Sequence, residues 1–77
     1  MIIKILGSGC KKCLTLTDNT QTALRELGLN AEVLKVTDFA AIAAHGVMST
    51  PALVIDDKVV SVGKVLSSAE VAALLKA

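Results

Sequence analysis

The opening stretch Met1-Ile2-Ile3-Lys4-Ile5-Leu6-Gly7-Ser8-Gly9-Cys10-Lys11-Lys12-Cys13 decides how the rest of the chain is interpreted. Met1–Leu6 is short, apolar and rich in β-branched residues, and it breaks at Gly7-Ser8-Gly9. That pattern predicts a buried strand followed by a turn. Beyond the turn, Cys13, Leu16, Thr20, Ala23, Leu24 and Leu27 recur at helical spacing. They predict an amphipathic helix from about Lys11 to Leu27, closed by Gly28. Asp18, Asn19, Arg25 and Glu26 fall on its wet side.

Ala31–Val36 alternates partly and predicts a second strand. Thr37 or Asp38 can cap a short helix from Phe39 to about His45, which Gly46 ends. Met48-Ser49-Thr50-Pro51 is a loop, and Ala52–Ile55 is a third strand. Asp56-Asp57-Lys58 is a tight turn into a fourth strand, Val59–Val62. Ser67-Ser68-Ala69-Glu70 is a capping box that opens a last helix with Val71, Leu74 and Leu75 on its apolar stripe. The order is β-α-β-α-β-β-α, an α/β domain with a four-stranded mixed sheet and three helices. Its first βαβ unit implies a parallel strand pair with a right-handed crossover.

Seventy-seven residues, 53% of them hydrophobic, make one domain spanning residues 1–77. Phe39 is the only aromatic and the formal net charge is +1. With neither a basic run nor an aromatic platform, the chain offers nothing for nucleic acid or an anionic membrane to hold. Its apolar start is far shorter than the roughly 20 residues of a membrane span, and too short for a signal peptide. A cytoplasmic location is expected.

In the cytoplasm a cysteine pair is usually catalytic or metal-binding rather than structural. A disulfide closing the four-residue loop Cys10–Cys13 would stabilise by roughly 2 kcal/mol in the chain-entropy model. It would also tie together residues that one helical turn already holds close. Position favours chemistry. Cys10 follows a strand and a glycine turn, at the predicted start of a helix, where free amide groups and the helix dipole favour a thiolate. Lys11 and Lys12 add positive charge. Cys10 is thus the expected nucleophile. Cys13, one turn deeper and on the buried stripe, is the expected resolving thiol. The bare spacing fits other roles too: two thiolates can hold Cu(I), or both cysteines can be inert filler. Pro51, the only proline, is by base rate a trans residue starting a strand.

Taken together, the leading strand, Gly7-Ser8-Gly9-Cys10-Lys11-Lys12-Cys13 opening a helix, Thr50-Pro51 before Ala52-Leu53-Val54-Ile55, the hairpin, Gly63 and the capped last helix resemble the thioredoxin/glutaredoxin superfamily. More narrowly, the chain is similar to the small thioredoxin-like redox-active disulfide proteins of bacteria and archaea. The resemblance covers essentially the whole chain. It implies a thioredoxin fold and a thiol–disulfide oxidoreductase that reduces protein disulfides. It implies a cis Pro51 seated against the Cys10–Cys13 pair, with Thr50 offering backbone groups to an extended partner. Gly63 would lie near the substrate groove. The implied partners are disulfide-containing proteins and an upstream reductase or low-molecular-weight thiol; no cofactor, nucleic acid or membrane is expected. The chain departs from thioredoxin in lacking a Trp before Cys10, in placing Lys-Lys between the cysteines, and in having no acid on Met1–Leu6.

Two other functions compete. One is a Cu(I)- or heavy-metal-handling module using both cysteines. Metal-transfer domains with this motif end in a strand, whereas Ser67–Ala77 is predicted helical. A structural zinc site needs four ligands, and Cys10, Cys13 and His45 supply at most three. The other is a non-enzymatic interaction domain using aliphatic surface around Val47, Met48 and Pro51.

Overall fold

The computed structural model describes residues 1–7, 9 and 11–76; Ser8, Cys10 and Ala77 lie outside the described residues. The elements are β1 (Ile2–Leu6), α1 (Lys11–Leu27), β2 (Glu32–Val36), α2 (Phe39–Ala44), β3 (Ala52–Ile55), β4 (Lys58–Val62) and α3 (Ser68–Lys76). The sheet runs β2-β1-β3-β4. β1 pairs parallel with β2 and antiparallel with β3, and β3 pairs antiparallel with β4.

The two central strands are apolar because both of their faces are covered. Ile3 and Ile5 of β1 and Leu53 of β3 join Leu16, Ala23, Leu24 and Val71 of the helices α1 and α3 in one cluster. The alternate residues Leu6, Ala52 and Val54 join Ile42 and Val47 in a second cluster, on the α2 face. Period-two alternation therefore splits each strand between two cores. Fully burying a side chain such as Leu16 or Leu53 stabilises by about 1.5–3 kcal/mol. Lys4 is the exception on β1. It lies in register with Val54, and its Nζ reaches Asp57 Oδ1 at 3.3 Å.

The caps follow the local chemistry. Gly28 takes φ +66°, its N–H donates to Arg25, and Leu29 N–H donates to Leu24, which closes α1 in a Schellman motif. Asp38, rather than Thr37, caps α2 by accepting from Ala41 N–H at 3.1 Å. His45 is the C-cap of α2 rather than part of it. Ser67 and Glu70 exchange two 3.1 Å hydrogen bonds as a capping box.

Three boundaries differ from expectation. Met1 and Ala31 stay outside their strands; Met1 carbonyl instead accepts from Glu32 N–H at 3.1 Å, at the start of the parallel pair. Lys58 belongs to β4 and pairs with Ile55, so the hairpin turn is only Asp56-Asp57. Both aspartates have positive φ, 49° and 66°, as a two-residue turn matched to strand twist requires. Asp tolerates that region, and Asp56 Oδ1 also accepts from Ile2 N–H at 2.9 Å. A register shift at Leu53/Val54 leaves Val60 as the extra residue of a bulge in β4. Asn19, expected to be wet, is half-buried and donates to the Leu66 carbonyl at 2.8 Å, tying α1 to the segment before α3.

Candidate active site

Cys13 lies in the first turns of α1, only 5% exposed, where the helix begins its descent onto the sheet. Thr17, four residues on, is also buried and donates to the Cys13 carbonyl at 2.9 Å, a back-bond that satisfies its hydroxyl inside the core. Cys10, the expected nucleophile, lies outside the described residues; in the chain it immediately precedes Lys11, the first residue of α1.

Gly7 faces the Cys13 sulfur. It is buried, and its N–H donates to the Val36 carbonyl at 2.9 Å, fixing the end of β1 against β2. A methyl group on Gly7 would fall within 3.0 Å of Cys13 Sγ, 3.5 Å from Cys13 Cβ and 3.7 Å from Thr50 Cβ. The absence of a side chain at residue 7 is what lets the sulfur and the loop before β3 come together.

That loop holds Thr50 and Pro51, and Gly63 meets it from the end of β4. The Thr50–Pro51 peptide bond is cis. Pro51 is fully buried, while Ser49 and Thr50 are exposed. Gly63 N–H donates to the Pro51 carbonyl at 2.8 Å, and a Cβ on Gly63 would sit 3.2 Å from Ser49 Cβ. Gly63 has φ +70°, which suits glycine as the chain leaves β4. Thus Gly63, Pro51, Thr50, Gly7 and Cys13 form one continuous arrangement at a single end of the sheet. Gly7 was visible only as a turn residue in the sequence, because its role comes from a contact across the fold.

The aliphatic surface expected around Val47, Met48 and Pro51 is corrected by the structure. Val47 and Pro51 are buried, Val47 in the cluster under α2. Met48 is 96% exposed, and Phe39, which the sequence left as the start of a helix, is 84% exposed. Together with Ile42, Ala43 and Thr50 they line an open groove of about 370 Å³ beside the Thr50-Pro51 loop. Larger hollows lie beside the end of α1 and between β4 and α3, away from Cys13.

The metal alternative was read on Cys10 and Cys13, with His45 as a third ligand, and Cys10 lies outside the described residues. His45 is spent at the end of α2, with Nδ1 2.9 Å from the Ala41 carbonyl. Among the described residues no group of three or more His, Cys, Asp or Glu side chains is placed to hold a metal ion. No helix among them is long and apolar enough to cross a membrane.

Residues 1–76 match the family described as thioredoxin domain. The chain belongs to the thioredoxin-domain family, and it is a thiol–disulfide oxidoreductase. Among its relatives is the thioredoxin of Methanocaldococcus jannaschii, 42% identical over 76 residues that cover 99% of this chain and 87% of that one. The thioredoxin of Methanothermobacter thermautotrophicus is 35% identical over 75 residues, covering 97% of each. A solved structure of a malarial protein superposes with TM-score 0.71 at 20% identity, covering 97% of this chain and 92% of that one, and shares the fold.

Proposed function

We propose that the chain, as one thioredoxin-like domain, reduces disulfides in protein substrates through the Cys10/Cys13 dithiol in the cytoplasm. Cys10 thiolate attacks one sulfur of the substrate disulfide. A mixed disulfide forms and one substrate thiolate leaves, taking up a proton. Cys13, as thiolate, then attacks the Cys10 sulfur. The Cys10–Cys13 bond forms and the second substrate thiol is released. Two electrons have passed to the substrate, and an upstream reductase or a low-molecular-weight thiol returns them.

The observation that carries this reading is the convergence of Cys13 with Gly7, Thr50, Pro51 and Gly63 at one end of the sheet. A substrate segment lying along Thr50 in extended form would pass Gly63 on one side and the Phe39–Met48 groove on the other.

Insulin reduction by dithiothreitol, followed by turbidity, tests it. The native chain accelerates precipitation and Cys10→Ser abolishes the effect. An inactive native chain whose reduced form binds Cu(I) tightly replaces this reading with the metal-handling one.

A further inference from the structure

The lysines of this chain are spread along its sequence, and the fold gathers four of them at the end of the sheet that holds Cys13 and Pro51. Lys11 and Lys12 open α1, Lys35 is the last residue but one of β2, and Lys64 directly follows Gly63. All four are exposed, and among the described residues none of them takes part in an ion pair. Lys12 precedes Asn19 by seven residues, two helical turns, and so shares its side of α1. Asn19 donates to the Leu66 carbonyl, which sets that side of the helix toward the segment that carries Lys64. The two nearest carboxylates are each engaged with backbone at a helix start: Asp38 accepts from Ala41 N–H and Glu70 from Ser67 N–H, both at 3.1 Å. Four lysines against these two give this end +2. The other four cations and five carboxylates give −1, and the two parts make up the formal +1 of the chain. A weakly charged protein thus turns a cationic face to whatever approaches its sulfur.

We infer that this face selects acidic protein segments: the preferred substrate disulfide is one flanked by aspartate or glutamate. This deepens the dithiol reading above and rests on it. Ser49 and Thr50 are exposed beside the buried Pro51. Gly63 N–H donates to the Pro51 carbonyl, which places Lys64 one residue from the path of a segment lying along Thr50. Carboxylates flanking the substrate cysteine then meet Lys12 and Lys64 across solvent. A second copy of this chain is a poor occupant, since two such faces carry the same sign. The groove between Phe39 and Met48 is lined by uncharged residues and leaves the sign of the partner to the lysines. The lysines form no bond and exchange no proton; the sulfur and electron steps are those given above. They raise the local concentration of an anionic partner and so speed its encounter, an effect that salt screens.

The test uses the full reduced chain and two synthetic peptides, each a disulfide-linked dimer. They are identical except that the cysteine is flanked by aspartates in one and by lysines in the other. Flanking charge also changes the reactivity of the peptide disulfide itself, through its leaving thiol. The acidic-to-basic rate ratio of the native chain is therefore compared with that of charge variants, in which this intrinsic part is common. Any change that glutamate between the cysteines makes to their own ionisation cancels in the same ratio. At low ionic strength the native ratio exceeds that of the Lys12→Glu/Lys64→Glu pair about tenfold, and Lys64→Glu alone lies between. In 1 M salt, where charges are screened beyond about 3 Å, the three ratios come together. Equal ratios in the native chain and the double variant at low salt, with circular dichroism showing both folded, overturn the inference. Failure of the dithiol reading is a different result: a native chain that reduces neither peptide nor insulin.

Discussion

Gly7→Ala is the sharpest test of how the site is built. Gly7 does not have positive φ, so alanine meets no backbone penalty there. The penalty comes from space alone. The new methyl would lie closer to Cys13 Sγ than the 3.0 Å that real Cβ atoms essentially never breach, and 3.5 Å from Cys13 Cβ. The sulfur must rotate away or the helix start must lift from the strand. Either response is overpacking at a buried position, worth about 1–3 kcal/mol. At this chain length that corresponds to a fall in Tm of roughly 5–20 °C. Gly46→Ala is the control. Gly46 has φ +73° and nothing within 4 Å of an added Cβ, so it loses about 1–2 kcal/mol through backbone strain alone. The assay pairs thermal unfolding of the reduced proteins with insulin reduction. Gly7→Ala loses activity out of proportion to its stability, because the displaced atom is the resolving sulfur. Gly46→Ala loses stability and keeps its activity at temperatures where it is folded. A Gly7→Ala protein with native Tm and native activity would refute the contact between residue 7 and the Cys13 sulfur.

The two turn aspartates should separate in chemical denaturation. Asp57→Gly relaxes a residue at φ 66° and gives up only an exposed ion pair, so it stabilises by about 0.5 kcal/mol, whereas Asp56→Gly also loses the 2.9 Å bond to Ile2 N–H and is the less stable of the two; the opposite ranking would contradict the turn described here. Ser67→Ala removes one arm of the capping box and costs about 1 kcal/mol, measured as a lower urea midpoint at unchanged slope. Asn19→Ala breaks the tie to Leu66 and leaves its carbonyl without that donor, a loss of about 1 kcal/mol by the same measurement. Phe39→Ala, at an exposed position, changes stability by less than about 0.5 kcal/mol while raising KM for insulin; an unchanged KM places the substrate elsewhere than the groove beside Thr50.

What the sequence determined by itself was set by short-range physics. Helical spacing from Cys13 to Leu27 placed α1 and its buried face, and the runs Met1–Leu6 and Ala52–Ile55 marked two of the strands. The capping box at Ser67, a cap at Thr37 or Asp38 and the glycine stop at Gly28 were legible because each is satisfied within a few residues of itself. Tertiary structure alone decided the rest. The Asn19–Leu66 bond joins residues 47 positions apart, and no local pattern announces it. Gly7 looked like turn punctuation until the fold brought Cys13 and Thr50 against it. Val47, expected on the surface, is buried under α2 while Phe39 at the start of that helix is exposed, because how a short helix seats on the sheet decides which apolar residues it covers. Local preferences are written into neighbouring residues; the meeting of distant ones depends on register and packing, which only the folded chain resolves.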